Sequence, residues 1–348
     1  MKKIVYIVEA FGGGVLAYLS ELAEGLMNDY DISILYGQRP QTPKDLTAYF
    51  GAQVHLYEIK YFTRELNPYK DLRAYLEIKK YLRIIKPNII HLNSSKAGAL
   101  GRLMRYQKGQ KVFYTPHGYS FLMHSRYSIK SLFYLCLEKI LGFYDAKTIA
   151  VGKGEYEQSL RVTKNSTYIN NGVNTKLIDE LSAVNDVDSN CLVTVGRIDV
   201  QKNPQIFNRL AFAYPQRQFV WIGDGPLKSE LTAPNIKVLG WLPHKRVLAI
   251  LLHTHLFLLL SQWEGLPISL LEAMYCKNCC IVTNVIGNRD IIKSKDNGII
   301  INDFKQLTEA IKVSNGQISN ISNNAANDIL ANYTLQQMVS QYCCEYER

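Results

Sequence analysis

The sequence predicts an α/β protein built from two doubly wound, parallel-sheet domains. Short runs rich in β-branched and aromatic residues alternate with longer segments of helical periodicity. This rhythm runs twice, with a polar stretch, 179-DELSAVNDVDSN-190, between the two series. The residues with unusual chemistry lie just after the short runs, where ligands of open parallel sheets bind.

In the first series KIVYIVEA (3–10), a helical stretch from about Val15 to Met27 and DISILYG (31–37) make one β-α-β unit. VHLYEI, a helical stretch over 70–85, NIIHLN, a helix from about Ala97, VFYTPHG, a helix from about Ser128 to Leu141 and AKTIAVG follow. The second series contributes CLVTVGRID, QFVWIGDG, IKVLGW, HLFLLLS, CCIVTN and GIIIN. The domains are expected to span 1–170 and 171–333.

The chain has 348 residues, 47% of them hydrophobic, enough for two cores. No run of about 18 apolar residues suggests a membrane span. The opening MKKIVYIVEAFGGG reads as a strand entering a glycine turn rather than a signal peptide, because no cleavage pattern follows. A cytosolic protein is therefore expected. The seven cysteines are scattered, and no histidine near them completes a zinc spacing, so reduced structural thiols are expected.

Net charge is +10 and unevenly spread. Residues 1–170 carry 24 Lys and Arg against 14 Asp and Glu, whereas residues 171–348 carry 16 of each. Between Glu77 and Glu138 there is no acid but eleven bases: Lys79, Lys80, Arg83, Lys86, Lys96, Arg102, Arg105, Lys108, Lys111, Arg126 and Lys130. An anionic partner of the first half is the expectation, namely anionic lipid or a phosphorylated acceptor. Nucleic acid is disfavoured because no DNA- or RNA-binding motif accompanies the charge.

Gly12, Gly13 and Gly14 follow the first strand and open a helix, a turn suited to a phosphate. With Ala17 they fit G-x-G-x-x-G/A, but that fingerprint needs an acid ending the second strand, and Leu35–Tyr36–Gly37 offers none. In 113-FYTPHGYSF-121, His117 and Gly118 leave a strand end; His91 and His255 are expected to be packing residues. In 195-VGRIDVQKNP-204, Arg197 and Lys202 suit a diphosphate: the guanidinium forks onto phosphate oxygens and the ammonium adds a point charge. The next strand ends in the glycine-rich 223-GDGP-226.

After HLFLLL comes 261-SQWEGLPISLLEA-273, with Glu264 in the exit loop and Glu272 inside a helix whose first turn suits Pro267. Free N–H groups near Gly265–Ile268 would face a diphosphate, while the two carboxylates accept from sugar and ribose hydroxyls. Two D-x-D triplets, Asp29–Asp31 and Asp186–Asp188, lie ahead of a strand and in the linker, and are not expected to hold a catalytic metal.

Glu264 and Glu272 match the E-x7-E motif of family 4 glycosyltransferases, which have the GT-B fold of two Rossmann-like domains facing a central cleft. FGGG, HLNSSKAGALGR, YTPHGYSF, VGRIDVQKNP, IGDGP, the E-x7-E segment and IGNRDII (286–292) fall in the family's order over nearly the whole chain. The chain most resembles the branch from capsule, exopolysaccharide and O-antigen gene clusters. The resemblance implies that Arg197 and Lys202 bind the donor diphosphate and that Glu272 holds the ribose. It implies that Glu264 holds the donor sugar, with backbone contacts from Gly265, Leu266 and Pro267. His117 would lie near that sugar, Gly13 and Gly14 would approach the donor phosphates, and Gly240–Trp241 would lie near the base. A retaining, metal-independent transferase without a cofactor is implied. It would move a hexose or N-acetylhexosamine from a nucleotide diphosphate, expected to be uridine, to a lipid-linked (polyprenyl diphosphate) saccharide. A peripheral site at the inner face of the cell membrane follows. The last segment, about 334–348, is expected to pack on the N-terminal domain. Where the family often has a smaller residue and Gly, this chain has Tyr275–Cys276–Lys277–Asn278, beyond the glutamates. A sugar-nucleotide epimerase or phosphorylase on the same fold would share the phosphate contacts but not the whole E-x7-E segment with its His-Gly partner. A non-catalytic lipid- or polysaccharide-binding module would have no use for Arg197, Lys202, Glu264 and Glu272 together.

Overall fold

The computed structural model describes residues 1–124, 128–184, 186–313 and 315–348, so Arg126 of the basic window lies outside the described residues. The chain forms two compact units, Met1–Asn170 with Met338–Arg348, and Asn171–Gln337.

The first unit holds β1 (Lys2–Val8), β2 (Tyr30–Tyr36), β3 (His55–Glu58), β4 (Ile89–Asn93), β5 (Lys111–Thr115), β6 (Lys147–Ala150) and β7 (Ser166–Tyr168). They form one sheet in the order β3-β2-β1-β4-β5-β6-β7, with every pairing parallel. β1 and β4 are buried almost throughout, which is why they read as continuous apolar runs. Six of these strands match the sequence expectation. β7 does not: three residues, Ser-Thr-Tyr, are too few to show a period.

Helices Pro68–Ile85, Ser95–Arg102 and Ile129–Leu141 pack on one face of this sheet. Ala74, Ile78, Leu82, Ala97 and Tyr114 share a core with Val5, Ile7, Ile90 and Leu92. Each of the three helices starts on a side-chain cap: Asn67, Ser94 and Ser128 accept from the N–H three residues on.

The second unit holds β8 (Leu192–Val195), β9 (Phe219–Ile222), β10 (Ile236–Gly240), β11 (Leu256–Leu259), β12 (Cys279–Thr283) and β13 (Ile299–Ile301). Their order is β10-β9-β8-β11-β12-β13, again all parallel. Strand order reverses between β1 and β4 in the first unit and between β8 and β11 in the second. Loops leaving those strands diverge to opposite sides and leave a crevice at the sheet's carboxyl edge.

The chain passes from one unit to the other at Asn170–Asn171, and the polar stretch that separates the two strand series in the sequence follows within the second unit. Helix Thr175–Asp179, capped by Asn174, already belongs to the second unit, where Tyr275 Oη donates to Asp179 at 2.8 Å. The polarity of 179–190 therefore marks a surface connection into β8. His255, expected to pack, is exposed just before β11, because the burial of that strand begins at Leu256.

Helix Leu335–Glu347 contributes its residues from Met338 onward to the first unit. Val339 lies against Gly25, where a Cβ would meet it at 2.3 Å. Tyr342 accepts from Tyr18 Oη at 2.7 Å, and Tyr346 Oη lies 2.6 Å from His91 Nδ1. The other ring nitrogen of His91 lies 2.8 Å from Thr115 Oγ1. His91 is thus held neutral between two hydroxyls.

Burial lowers the His91 pKa to about 3 from an ordinary 6.5. The unfolded chain therefore takes up a proton that the folded one refuses. Stability from this residue is complete above about pH 6.5 and falls as the pH drops toward the folded value. We predict that acidification from pH 7 to pH 5 costs on the order of 2 kcal/mol through His91 alone. Urea unfolding at the two pH values measures it, and an unchanged midpoint contradicts it.

Candidate functional site

In the second unit β8 runs out at Val195 and the chain turns at Gly196, with φ +145°. Gly223, at the end of β9 with φ +140°, lies so close that a Cβ there would come within 2.1 Å of the Gly196 carbonyl oxygen. Trp221 Nε1 donates to that same oxygen at 2.8 Å. Only glycine fits such a pair of turns, and this packing carries the Arg197–Lys202 loop over the end of the sheet. Asn203, left-handed at φ +55°, then redirects the chain into helix Pro204–Ala213.

The chain leaving β11, across the reversal point from β8, brings Glu264 to meet this loop. Lys202 Nζ lies 2.6 Å from Glu264 Oε1, with side-chain exposures of 14% and 7%. Gln201 Nε2 donates to Glu264 Oε2 at 3.2 Å and to the Trp263 carbonyl at 3.0 Å. The Gln262 N–H donates back to the Gln201 carbonyl at 2.8 Å. The two loops are therefore joined through backbone as well as charge. Arg197 is half-buried and has no hydrogen-bond or ion-pair partner among the described residues. A cation partly withdrawn from water without a counter-charge is a standing attraction for an anion.

Gly265, Leu266 and Pro267 connect Glu264 to helix Ile268–Tyr275. Pro267 caps this helix instead of filling its first turn, because its ψ of 117° is extended. Asn171 Nδ2 donates to the Leu266 carbonyl at 2.7 Å. Gly287 packs on Gly265, where a Cβ would lie 1.9 Å from its carbonyl oxygen. The loop is thus fixed from both sides. The N–H groups of Ile268 and Ser269 have no acceptor among the described residues. Ser261 Oγ, Trp263 Nε1 and Asn171 Oδ1 are buried with no partner among them either. Buried polar atoms left this way in a native protein mark places where water or a polar ligand completes them. Glu272 sits inside the helix, buried, with Oε1 2.6 Å from His244 Nε2. Gly240 ends β10 with φ +70° and accepts from Gly223 N–H at 2.8 Å, and Trp241 beside it is half exposed.

In the first unit Gly13 and Gly14 open helix Gly13–Leu26 with free space where side chains would stand. His117 follows β5 in a left-handed conformation, φ +52°, and its Nε2 lies 2.9 Å from Asn93 Oδ1 at the end of β4. Ser94, next to Asn93, is strained as well at φ +100°. Non-glycine residues in this region cost of order 1 kcal/mol or more, persist only where surroundings enforce them, and gather at functional sites. Tyr18 meets the His117 ring edge-on with centroids 4.7 Å apart. Burial lowers the His117 pKa to about 3, so the imidazole is neutral at physiological pH. Glu155 Oε1 accepts from the Gly118 N–H at 2.5 Å, and its Oε2 accepts from the Val151 N–H at 2.9 Å.

The structure thus gathers Arg197, Lys202, Glu264, Gly265, Leu266 and Pro267 at the reversal point of the second sheet. It puts Glu272 deeper in the adjoining helix and Gly240 on the far side of β9. Sequence reasoning missed five supporting side chains. Gln201 lay inside a quoted motif; Asn93 ends β4 and Glu155 lies in the first turn of helix Lys153–Ser159 after β6, where position alone was the signal. His244 and Asn171 are distant in sequence from what they hold, and nothing local pointed to them.

Two family descriptions match adjoining parts of the chain, "Glycosyltransferase Family 4" over residues 12–177 and "Glycosyl transferases group 1" over residues 178–314. The chain is 29% identical to the UDP-Gal:alpha-D-GlcNAc-diphosphoundecaprenol alpha-1,3-galactosyltransferase of Escherichia coli, over 85% of this chain and 84% of that one. It is 25% identical to the O-antigen biosynthesis glycosyltransferase WbnH of Escherichia coli, over 86% of each. Among solved structures, sucrose-phosphate synthase from Thermosynechococcus elongatus superposes with a TM-score of 0.84 at 18% identity, covering 100% of this chain and 98% of that one. With both descriptions matched in sequence and both parallel sheets in place, the chain belongs to the family 4 glycosyltransferases and has the GT-B fold.

Proposed function

We propose that the protein is a retaining transferase that moves a hexose or N-acetylhexosamine from a UDP-sugar to a polyprenyl diphosphate-linked saccharide. The setting is surface polysaccharide biosynthesis at the inner face of the membrane. One observation carries the donor assignment. Arg197, which has no partner among the described residues, the Lys202–Glu264 pair and the unbonded N–H groups that open helix Ile268–Tyr275 all follow β8 or β11, the two strands between which the second sheet's order reverses. The relatives support the substrates: one is named for a UDP-galactose donor and a diphosphoundecaprenol acceptor.

On this reading the donor diphosphate takes the place that Arg197 and the helix N–H groups leave open. Lys202 is held at hand by Glu264 and turns part of its charge to the phosphate. As the sugar–oxygen bond breaks, negative charge grows on the departing diphosphate, and these fixed cations and dipoles stabilise it more than they stabilise the intact donor. The acceptor hydroxyl attacks the same face of the sugar, and its proton passes to the departing phosphate oxygen, so no separate base is needed. Glu264 accepts from donor-sugar hydroxyls, and Glu272, positioned by His244, accepts from the ribose. Gly240 lies by the base, and Gly13 and Gly14 admit the phosphates closely. Neutral His117, fixed by Asn93, offers the sugar a hydrogen bond without adding charge.

Two outcomes follow. Lys202→Ala and Glu272→Ala each reduce transfer by roughly 100-fold or more while far-UV circular dichroism stays native, the scale found when one transition-state contact is removed. Wild-type rates in both would defeat the assignment. Transfer is also unchanged after exhaustive treatment with EDTA, because protein cations do the work a metal would do. Loss of activity that magnesium restores contradicts that part.

A further inference from the structure

The first unit exposes an apolar stripe along helix Ile129–Leu141 and the turn after it. Ile129, Leu132, Phe133, Ile140 and Phe143 fall at three-, four- and seven-residue spacings along one side of the helix and are open to solvent, Ile129 at 87% and Phe143 at 90%. Lys130 and Lys139 are exposed on the same helix, whereas its only acid, Glu138, is buried against Arg102 at 2.8 Å. In the same helical layer, helix Pro68–Ile85 exposes Tyr69, Leu72 and Leu76 beside Arg73, Lys80 and Arg83. Neither helix exposes an acid, since Asp71 is turned to Lys96 at 2.6 Å and Glu77 is half-buried. A soluble surface seldom leaves Phe and Ile this bare, and a contiguous apolar patch rimmed by charge marks an interaction site.

We propose that this layer is a lipid-docking face, with the Ile129–Phe143 stripe entering the boundary between headgroups and acyl chains of an anionic bilayer. Apolar residues along one face, cations beside them and no exposed acid on either helix are the composition of a helix lying in a membrane interface, and the exposed Asp145 stands two residues beyond Phe143, past the end of the stripe. An oppositely charged protein partner would answer the cations but not the bare rings. The inference deepens the membrane setting proposed above: it names the surface and adds an apolar contribution that screening cannot remove, beside the salt-sensitive pull of the lysines. The helix is the crossover from β5 to β6, so its first turn stands toward the carboxyl end of the sheet, the end that carries His117, and docking brings that end toward the lipid headgroups.

The test is flotation of the whole protein with vesicles of phosphatidylcholine containing about one-third phosphatidylglycerol, without donor or acceptor. Wild type is expected to bind, weaken several-fold in 0.5 M NaCl and keep a measurable salt-resistant fraction. The triple variant Leu132→Ser, Phe133→Ser, Phe143→Ser is expected to bind at least tenfold more weakly at low salt and not at all at high salt. Lys130→Glu with Lys139→Glu is expected to lose mainly the low-salt part. Native far-UV circular dichroism and an unchanged melting temperature verify that each variant is folded. Vesicle binding by the triple variant equal to wild type overturns the proposal. So does a wild type that ignores vesicles and runs as a dimer that the serines dissociate, which would make the face a contact between copies. Because no sugar substrate is present, failure of the transferase reading leaves this result intact, and failure here leaves UDP binding intact.

Discussion

The ion pair between Lys202 and Glu264 is the contact on which the candidate site depends. The two loops leave neighbouring strands on either side of a reversal in strand order, and beyond the strand ends one backbone bond, Gln262 N–H to the Gln201 carbonyl, joins them. A 2.6 Å charge contact at low exposure adds to it, with Gln201 bonded to the carboxylate and to the neighbouring backbone. Such a pair is strong only while both partners are present, since either charge alone would be poorly solvated. It is therefore a suitable latch for a ligand that brings its own negative charge. An incoming diphosphate can share the ammonium, while Arg197, which has no partner among the described residues, supplies a second cation that nothing must release.

The first unit follows a different logic. Its strand-end residues are held by neutral hydrogen bonds and packing. His117 and Ser94 keep strained left-handed backbones because Asn93, Tyr18 and Glu155 fix what surrounds them. Beneath them, tyrosines of the last helix close on His91. Burial keeps both imidazoles neutral. Arg39, at the exit of β2, is matched by Glu9 at the exit of β1, while Lys80, Arg83, Lys130 and Lys139 are exposed on the helical layer.

Much of this was legible from the sequence because parallel sheets write their strands as apolar runs and their sites as the residues immediately after. Twelve strands and the loops that carry Arg197, Lys202 and Glu264 follow from that rule, whereas Glu272, inside the next helix, was marked by its spacing from Glu264. What escaped it has physical causes. β7 is too short to display a period. His255 sits one residue outside a buried strand, and one residue decides whether a side chain is covered. Gln201, His244 and Asn171 act across the fold, where sequence spacing carries no information. The amphipathic character of Ile129–Leu141 was hidden as well: its exposed and buried sides are both apolar, and only the packing tells which side faces the core.

The account rests on a diphosphate being recognised by Arg197 and Lys202 rather than on general affinity for a nucleoside. Calorimetric titration of UDP and UMP into wild type, Arg197→Ala and Lys202→Ala measures that directly. Wild type is predicted to bind UDP at least tenfold more tightly than UMP, about 1.4 kcal/mol, with the preference falling several-fold in each variant. Equal preference for UDP in all three proteins would contradict it.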